Sequence, residues 1–244
     1  MTQTARELVV IPAHNEQGSV GQVVRAIREG FPDVDILVVD DASRDATGAE
    51  ARAAGAGVVR LSLNLGAWGA VQTGMRYAVR HGYSHVVTMD ADGQHEAQDM
   101  PLVLELLRSG GADVVIGACV ERGSLLRRIA WSLFRKVSGL RIRDVTSGFR
   151  GYGPRAVKLL ASPEATLLDY QDVGVLLLLQ RAGCRIVERK VRMCPRVNGH
   201  SRVFGTWRVI VVYMALSLVL ALTRTTYGGR VREMVSKVKG RSRS

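Results

Sequence analysis

Between Leu8 and Ile116 the chain repeats one pattern, a short apolar run followed by a segment whose apolar positions recur at helical spacing. Short strands alternating with helices are the mark of βαβ units, so the spacing predicts a mostly parallel α/β sheet sandwiched by helices. Leu8-Val9-Val10-Ile11 reads as the first strand, stopped by Pro12, and Val20, Val23, Val24 and Ile27 form the next helical stripe, closed by Gly30 and Pro32. Ile36-Leu37-Val38-Val39 ends in Asp40-Asp41, with Ser43 and Asp45 as candidate caps for a helix over 48–54. A short strand over 58–61 precedes the glycine-punctuated segment Asn64 to Ala70, which opens a helix with Val71, Met75, Ala78 and Val79 on its apolar face. The strand His85 to Met89, a helix over 98–108 with Pro101 in its first turn, and the strand Val114-Val115-Ile116 complete the series.

Beyond residue 117 the pattern changes. A basic stretch from Arg122 to Arg143, with Leu125, Ile129, Leu133 and Phe134 on one face, reads as a surface helix. Asp144-Val145-Thr146-Ser147-Gly148-Phe149-Arg150 reads as a polar, glycine-containing turn. An apolar helix over 173–182, stopped by Gly183, and a strand over 185–193 follow.

The stretch with the most chemistry is Thr88-Met89-Asp90-Ala91-Asp92-Gly93-Gln94-His95. Side chains two apart on a strand share a face, so Asp90 and Asp92 are expected together at the strand end, where open α/β sheets bind their ligands. Two adjacent carboxylates call for a cation, and oxygen-only donors suit Mg²⁺ or Mn²⁺. A polar turn after a core strand is the competing reading.

Of 244 residues, 34 are Lys or Arg and 22 are Asp or Glu, a net charge of +12. From Arg224 onward there are seven Lys or Arg against Glu233 alone, so half of that excess belongs to the last 21 residues. With aromatics at only 5%, the charge does not make a nucleic-acid surface. Cys119, Cys184 and Cys194 form neither a disulfide framework nor a zinc motif, which fits a reducing cytoplasm, and residues 1–7 lack the pattern of a secretory signal. Val209 to Leu222 is apolar except for Ser217; as a helix it would measure about 21 Å, against a hydrocarbon core of roughly 30 Å. A segment too short to span, followed by a basic tail, predicts attachment to an anionic membrane face. A buried core helix is the alternative.

The phosphate loops of P-loop and dinucleotide-binding proteins are both missing. Instead, Val10-Ile11-Pro12-Ala13-His14-Asn15-Glu16, Val38-Val39-Asp40-Asp41-Ala42-Ser43-Arg44-Asp45, Asn64-Leu65-Gly66 and Met89-Asp90-Ala91-Asp92-Gly93 stand in an order and spacing that resembles the family 2 inverting glycosyltransferases of GT-A fold. Asp144 to Arg150 and Arg196-Val197-Asn198-Gly199-His200-Ser201 resemble the dolichol-phosphate-mannose-synthase-like branch, which acts on polyprenyl phosphates. The resemblance covers roughly residues 7–203.

It implies that Pro12, His14, Asn15 and Glu16 line a nucleotide pocket, with Glu16 a ribose acceptor and His14 in place of a commoner Tyr. Asp40 and Asp41 would accept from base or ribose, unless they serve as a helix-capping turn. Asn64 and Gly66 would lie near nucleotide and sugar, and Asp90 and Asp92 would hold the metal on the diphosphate. His95 matches a recurrent position, although a lone histidine is more often structural. The family's Q-x-E or Q-x-D is replaced by Gln171-Asp172, so either could complete the metal shell, or Asp172 could be a general base. Arg150, Arg196 and Arg202 are candidate phosphate partners.

The expected protein is a GT-A domain over 1–206 with a membrane-associating helix and basic tail over 207–244, held at the cytoplasmic face of the cell membrane. It would move a sugar from a GDP- or UDP-linked donor to a polyprenyl phosphate. A soluble or other hydroxyl acceptor, and a non-enzymatic membrane-binding module, are the alternatives.

Overall fold

The computed structural model describes residues 6–119, 142, 144–145, 147–167 and 173–192. The apolar helix over 209–222, the basic stretch after Arg122, and Gln171, Asp172, Arg196 and Arg202 lie outside the described residues.

The described strands form one seven-stranded sheet: β1 (Glu7–Ala13), β2 (Asp35–Asp40), β3 (Gly57–Arg60), β4 (His85–Thr88), β5 (Val114–Ala118), β6 (Arg150–Tyr152) and β7 (Ile186–Lys190), in the order β3-β2-β1-β4-β6-β5-β7. All neighbours are parallel except β6, which runs antiparallel to both β4 and β5. The helices are α1 (Val20–Gly30), α2 (Thr47–Ala53), α3 (Gly66–Arg80), α4 (Met100–Arg108), α5 (Pro154–Leu160) and α6 (Val173–Arg181).

Strand alternation sorts the core into two layers. Val9 and Ile11 of β1 pack with Val24 and Ile27 of α1 and Met100, Val103 and Leu104 of α4 on one face. Leu8 and Val10 pack with Val71 and Met75 of α3, Val157 of α5 and Leu176 and Leu179 of α6 on the other. Both faces of β1 are dry, which explains its unbroken apolar run; each such side chain contributes on the order of 1.5–3 kcal/mol.

Two expectations are corrected. Pro12 does not stop β1, which continues to Ala13 opposite Asp40 of β2. Val10 accepts from the Met89 N–H on the β4 side and Ala13 accepts from the Asp41 N–H on the β2 side. Residue 12 therefore faces β4, beyond the last β1–β4 pair, Val10 with Thr88, where no N–H is needed. Val79 of α3 is 44% exposed, and Trp68, Ala70 and Gln72 are buried instead.

The part of the sheet that sequence reading missed is β6. Its three residues, Arg150-Gly151-Tyr152, lie between β4 and β5 and are wholly buried. Gly151 has a packing reason: a Cβ there would run into Val103 and Leu107 of α4.

His85, which starts β4, is buried, and desolvation holds its imidazole below the ordinary value of about 6.5, against an opposing pull from Glu7. The unfolded chain then binds a proton that the fold refuses, so this contribution is full above about pH 6.5 and is lost as pH falls below it. Thermal melts between pH 7.5 and 5.5 should show a smaller loss of stability for His85→Gln than for the wild type; equal losses would remove His85 as a cause.

Candidate active site

The chain leaves β1 towards β2 on one side, and returns from β3 to β4 on the other, so the carboxyl ends of β1 and β4 flank the point where strand order reverses. Open α/β sheets form their binding crevice there. Two very different walls meet at it.

The first wall joins the loops after β1 and β2. Asn15 stands in the left-handed region (φ 52°), its N–H donating to Ser43 Oγ (2.9 Å) and its Oδ1 accepting from the Arg44 N–H (2.8 Å). The Glu16 N–H donates to Thr47 Oγ1 (2.8 Å), and the Glu16 carboxylate accepts from Ser19 Oγ (3.1 Å). His14 Nδ1 lies 2.6 Å from the Asp41 carbonyl and 3.1 Å from the Asn64 amide nitrogen, and its Nε2 lies 3.0 Å from the Asn15 amide nitrogen. The exposed Asn64 amide reaches the same carbonyl at 3.5 Å. Pro12 is half-buried at the foot of this wall.

Asp40 and Asp41 are both buried and both accept from backbone. Asp40 Oδ1 takes the Ser43 N–H (2.9 Å), while Asp41 takes the N–H groups of Leu65 (2.7 Å) and Gly66 (2.9 Å) on separate oxygens. These contacts fasten the β2 loop to itself and to the start of α3. Of the two expected caps, Asp45 accepts the Thr47 N–H in the first turn of α2 (3.0 Å), whereas Ser43 serves Asn15. Burial pulls the Asp45 carboxyl upward, but hydrogen bonds from Thr47 and Gln17 outweigh it and leave it below the usual range. Ala42, also left-handed (φ 55°), lines an open cleft of about 610 Å³ with Ser43, Arg44, Arg60, Leu61 and Ser62.

The second wall is the turn after β4. The strand ends at Thr88, so the shared strand face expected for Asp90 and Asp92 does not apply. Asp90 has 41% of its side chain exposed, while Asp92 is buried and accepts the Gln94 N–H on Oδ1 (3.0 Å). Against Asp90 packs the 145–150 turn. Thr88 Oγ1 donates to the Gly148 carbonyl (2.8 Å), and Gly148 lies so close that a Cβ would overlap both Asp90 oxygens. His95, with 2% of its side chain exposed, brings Nε2 to 3.4 Å from Asp90 Oδ2.

Arg150 is corrected. Expected as a phosphate partner, it is fully buried, with Nε donating to the Ser147 carbonyl (2.7 Å) and Nη2 to the Val145 carbonyl (2.6 Å). Its place in the centre of the sheet turns the guanidinium onto its own loop.

A divalent cation fits this second wall in its donor chemistry. A half-exposed carboxylate, a second one two residues on, and a glycine leaving Asp90 room are hard-oxygen features suited to an ion that takes one or two carboxylates plus phosphates and keeps several waters. Among the described residues no three His, Cys, Asp or Glu side chains are grouped to hold a metal alone. Sequence reading passed over Gln94, a buried amide in the same turn, and Gly148; the first continues the every-second-residue spacing of Asp90 and Asp92, and the second needed the fold to be seen.

A mostly parallel sheet with its crevice at the strand-order reversal makes this a doubly wound α/β domain, and residues 8–158 match the family described as Glycosyl transferase family 2. The chain belongs to that family. The undecaprenyl-phosphate mannosyltransferase of Micrococcus luteus is 36% identical over 216 residues, covering 82% of this chain and 88% of that protein. The polyprenol monophosphomannose synthase of Mycolicibacterium smegmatis is 33% identical over 165 residues, 61% of this chain and 62% of that one. In fold, the chain is similar to glucosyl-3-phosphoglycerate synthase of Mycobacterium tuberculosis, solved with phosphoglyceric acid, at TM-score 0.69 and 19% identity, covering 88% of this chain and 80% of that one. The same enzyme solved with Mn²⁺, UDP and phosphoglyceric acid gives 0.64 at 20%, with 88% and 78% covered.

Gly148→Ala places a methyl group against the Asp90 carboxylate. Glycosyl transfer should fall about 10- to 100-fold, the usual effect of disturbing a supporting contact in a metal site, with the circular dichroism spectrum retained. An unchanged rate would show that Asp90 has room to move aside.

Proposed function

We propose that this chain is a metal-dependent, inverting glycosyltransferase that moves a sugar from a GDP- or UDP-linked donor to a polyprenyl phosphate. The observation that carries the reading is the half-exposed Asp90, in the turn it shares with Asp92, facing the β1–β4 crevice of a family 2 sheet. The acceptor class comes from the 36% identical relative, matched over most of both chains.

The acceptor phosphate oxygen attacks the anomeric carbon on the side opposite the nucleotide. As that C–O bond forms, the bond from the anomeric carbon to the diphosphate oxygen breaks, its electron pair leaves with the nucleoside diphosphate, and one displacement inverts the centre. Because a phosphate is already anionic, no residue must remove a proton from it. The wall built by Pro12, His14, Asn15, Glu16, Asp40, Asp41, Asn64 and Gly66 holds the nucleoside, Asp41 by tying the Leu65-Gly66 turn beside it. Asp90 and Asp92 would hold Mg²⁺ or Mn²⁺, and the ion would supply positive charge against the charge growing on the diphosphate. Gln171 or Asp172 as a further ligand, and Arg196 and Arg202 as phosphate partners, are assigned from the sequence alone; Asp172 as a base would belong only to a hydroxyl acceptor. Gln94 is a further oxygen donor of suitable chemistry within the Asp92 turn.

Incubation with GDP- and UDP-sugars, Mn²⁺ and a polyprenyl phosphate should release nucleoside diphosphate and form a lipid-linked sugar, both requiring metal and lipid. Transfer only to soluble hydroxyl acceptors would overturn the acceptor class. Asp92→Asn should reduce transfer at least about a hundredfold without unfolding the chain, since charge stabilisation by a bound ion contributes several kcal/mol; full activity at saturating Mn²⁺ would remove Asp92 from the metal site.

No helix among the described residues is long and apolar enough to cross a membrane. Peripheral attachment at the cytoplasmic face through 207–244 rests on the apolar run and the seven cations behind it. Deleting residues 208–244 should lower transfer to a long-chain lipid phosphate by tenfold or more, roughly the effect of losing a few surface cations at about 1 kcal/mol each. Transfer to a short water-soluble analogue should change little. Equal loss with both acceptors would make the segment part of the folded core.

A further inference from the structure

A lone histidine is more often structural, but the surroundings of His95 do not fit that role alone. The ring lies over Phe149, centroids 5.4 Å apart and planes 26° from parallel, in a slot that leaves 2% of the side chain exposed. Nδ1 is buried there with no hydrogen-bond partner among the described residues. A buried polar atom without a partner is a cost that Phe or Leu would fill the same slot without incurring. Packing therefore gives no reason for an imidazole.

The reason lies at the other nitrogen. Nε2 is 3.4 Å from Asp90 Oδ2, while Gly148 presses on the same carboxylate. With no acceptor beside Nδ1, Nε2 is the ring nitrogen placed to donate, and the Asp90 carboxylate faces it. Asp90 thus has the His95 ring nitrogen and the Gly148 backbone against its carboxylate.

We infer that His95 is a positioning residue: its Nε2–H holds Asp90 Oδ2 so that the carboxylate presents its remaining lone pairs to a divalent cation in the crevice. This rests on the reading of Asp90 as a metal ligand. Partners that orient a ligating carboxylate are part of the site's affinity for the ion, and their removal weakens binding by about 10- to 100-fold. Phe149 supports the ring from beneath, so the order runs from the β6 turn through Phe149 and His95 to Asp90.

The test is direct Mn²⁺ binding, by electron paramagnetic resonance and calorimetry, on the full chain with UDP or GDP present and no acceptor. His95→Leu keeps the apolar slot and removes the donor; Mn²⁺ affinity should drop about 10- to 100-fold while the metal-free melting temperature holds or rises. His95→Gln keeps an N–H at the reach of Nε2 and should recover most of the affinity. Wild-type affinity in His95→Leu, or equal loss in Leu and Gln variants, overturns the proposal. If His95→Leu fails to fold, the Gln variant decides: affinity within about threefold of wild type supports positioning, and a loss beyond tenfold overturns it. Asp92→Asn separates the two readings. If wild type and Asp92→Asn bind Mn²⁺ alike, the metal site itself is misplaced and the His95 role falls with it. If Asp92→Asn loses the ion and His95→Leu does not, only the His95 role fails.

Discussion

The buried guanidinium of Arg150 ties the sheet to the site. An isolated charge in an apolar interior is strongly unfavourable unless hydrogen bonds surround it, and here the carbonyls of Ser147 and Val145 accept from two of its nitrogens. Meeting that demand draws the carbonyls of Val145 and Ser147 in around Arg150. The same residue pairs with Thr88 of β4 and Ile116 of β5, which fixes the turn against the end of the strand carrying the DxD motif. Gly148 then reaches Asp90, and Phe149 reaches His95. One buried cation inside the sheet thereby sets the position of a carboxylate at its edge.

The two walls of the crevice use acidic residues for opposite purposes. Asp40 and Asp41, 2% and 3% exposed, turn inward and accept from backbone N–H groups, Asp40 from Ser43 and Asp41 from Leu65 and Gly66. They fasten the first wall. Ala42, directly after them, sits in the left-handed region, a strain of about 1–2 kcal/mol that these contacts hold in place. On the second wall Asp90 remains 41% exposed, where its charge is available to something that enters the crevice.

Much of this was legible in the sequence because one rule, apolar runs alternating with helical stripes, holds from β1 to β5, and because Pro12 to Glu16, Asp40-Asp41 and Asp90 to Asp92 each stand where a strand gives out. What escaped did so for identifiable reasons. Strand β6 is three residues long and contains Arg and Gly, so it has no periodicity to detect and the wrong composition for a central strand. Arg150 looked like a phosphate ligand because arginine usually is exposed; only its pairing on both sides reveals that it must be buried. Pro12 looked like a strand terminator because the sequence cannot say which neighbour its missing N–H faces. The alternation argument for Asp90 and Asp92 assumed strand as far as Asp92, beyond the Thr88 at which β4 ends.

These misreadings cluster at the crevice, and there is a physical reason for that. Elsewhere local propensity, pattern and packing agree, as in α1, whose buried Val20, Val23, Val24 and Ile27 are the ones its spacing predicts. At the crevice the structure accepts a left-handed alanine, a buried arginine, and a histidine nitrogen with no partner among the described residues. Each is unfavourable locally, and each adjoins either the loops of the first wall or Asp90. A fold that held only its own core together would replace Ala42 with glycine and His95 with an apolar ring. The departures from local preference thus mark the surface on which a charged ligand would offset their cost, and they do so independently of any likeness to other proteins.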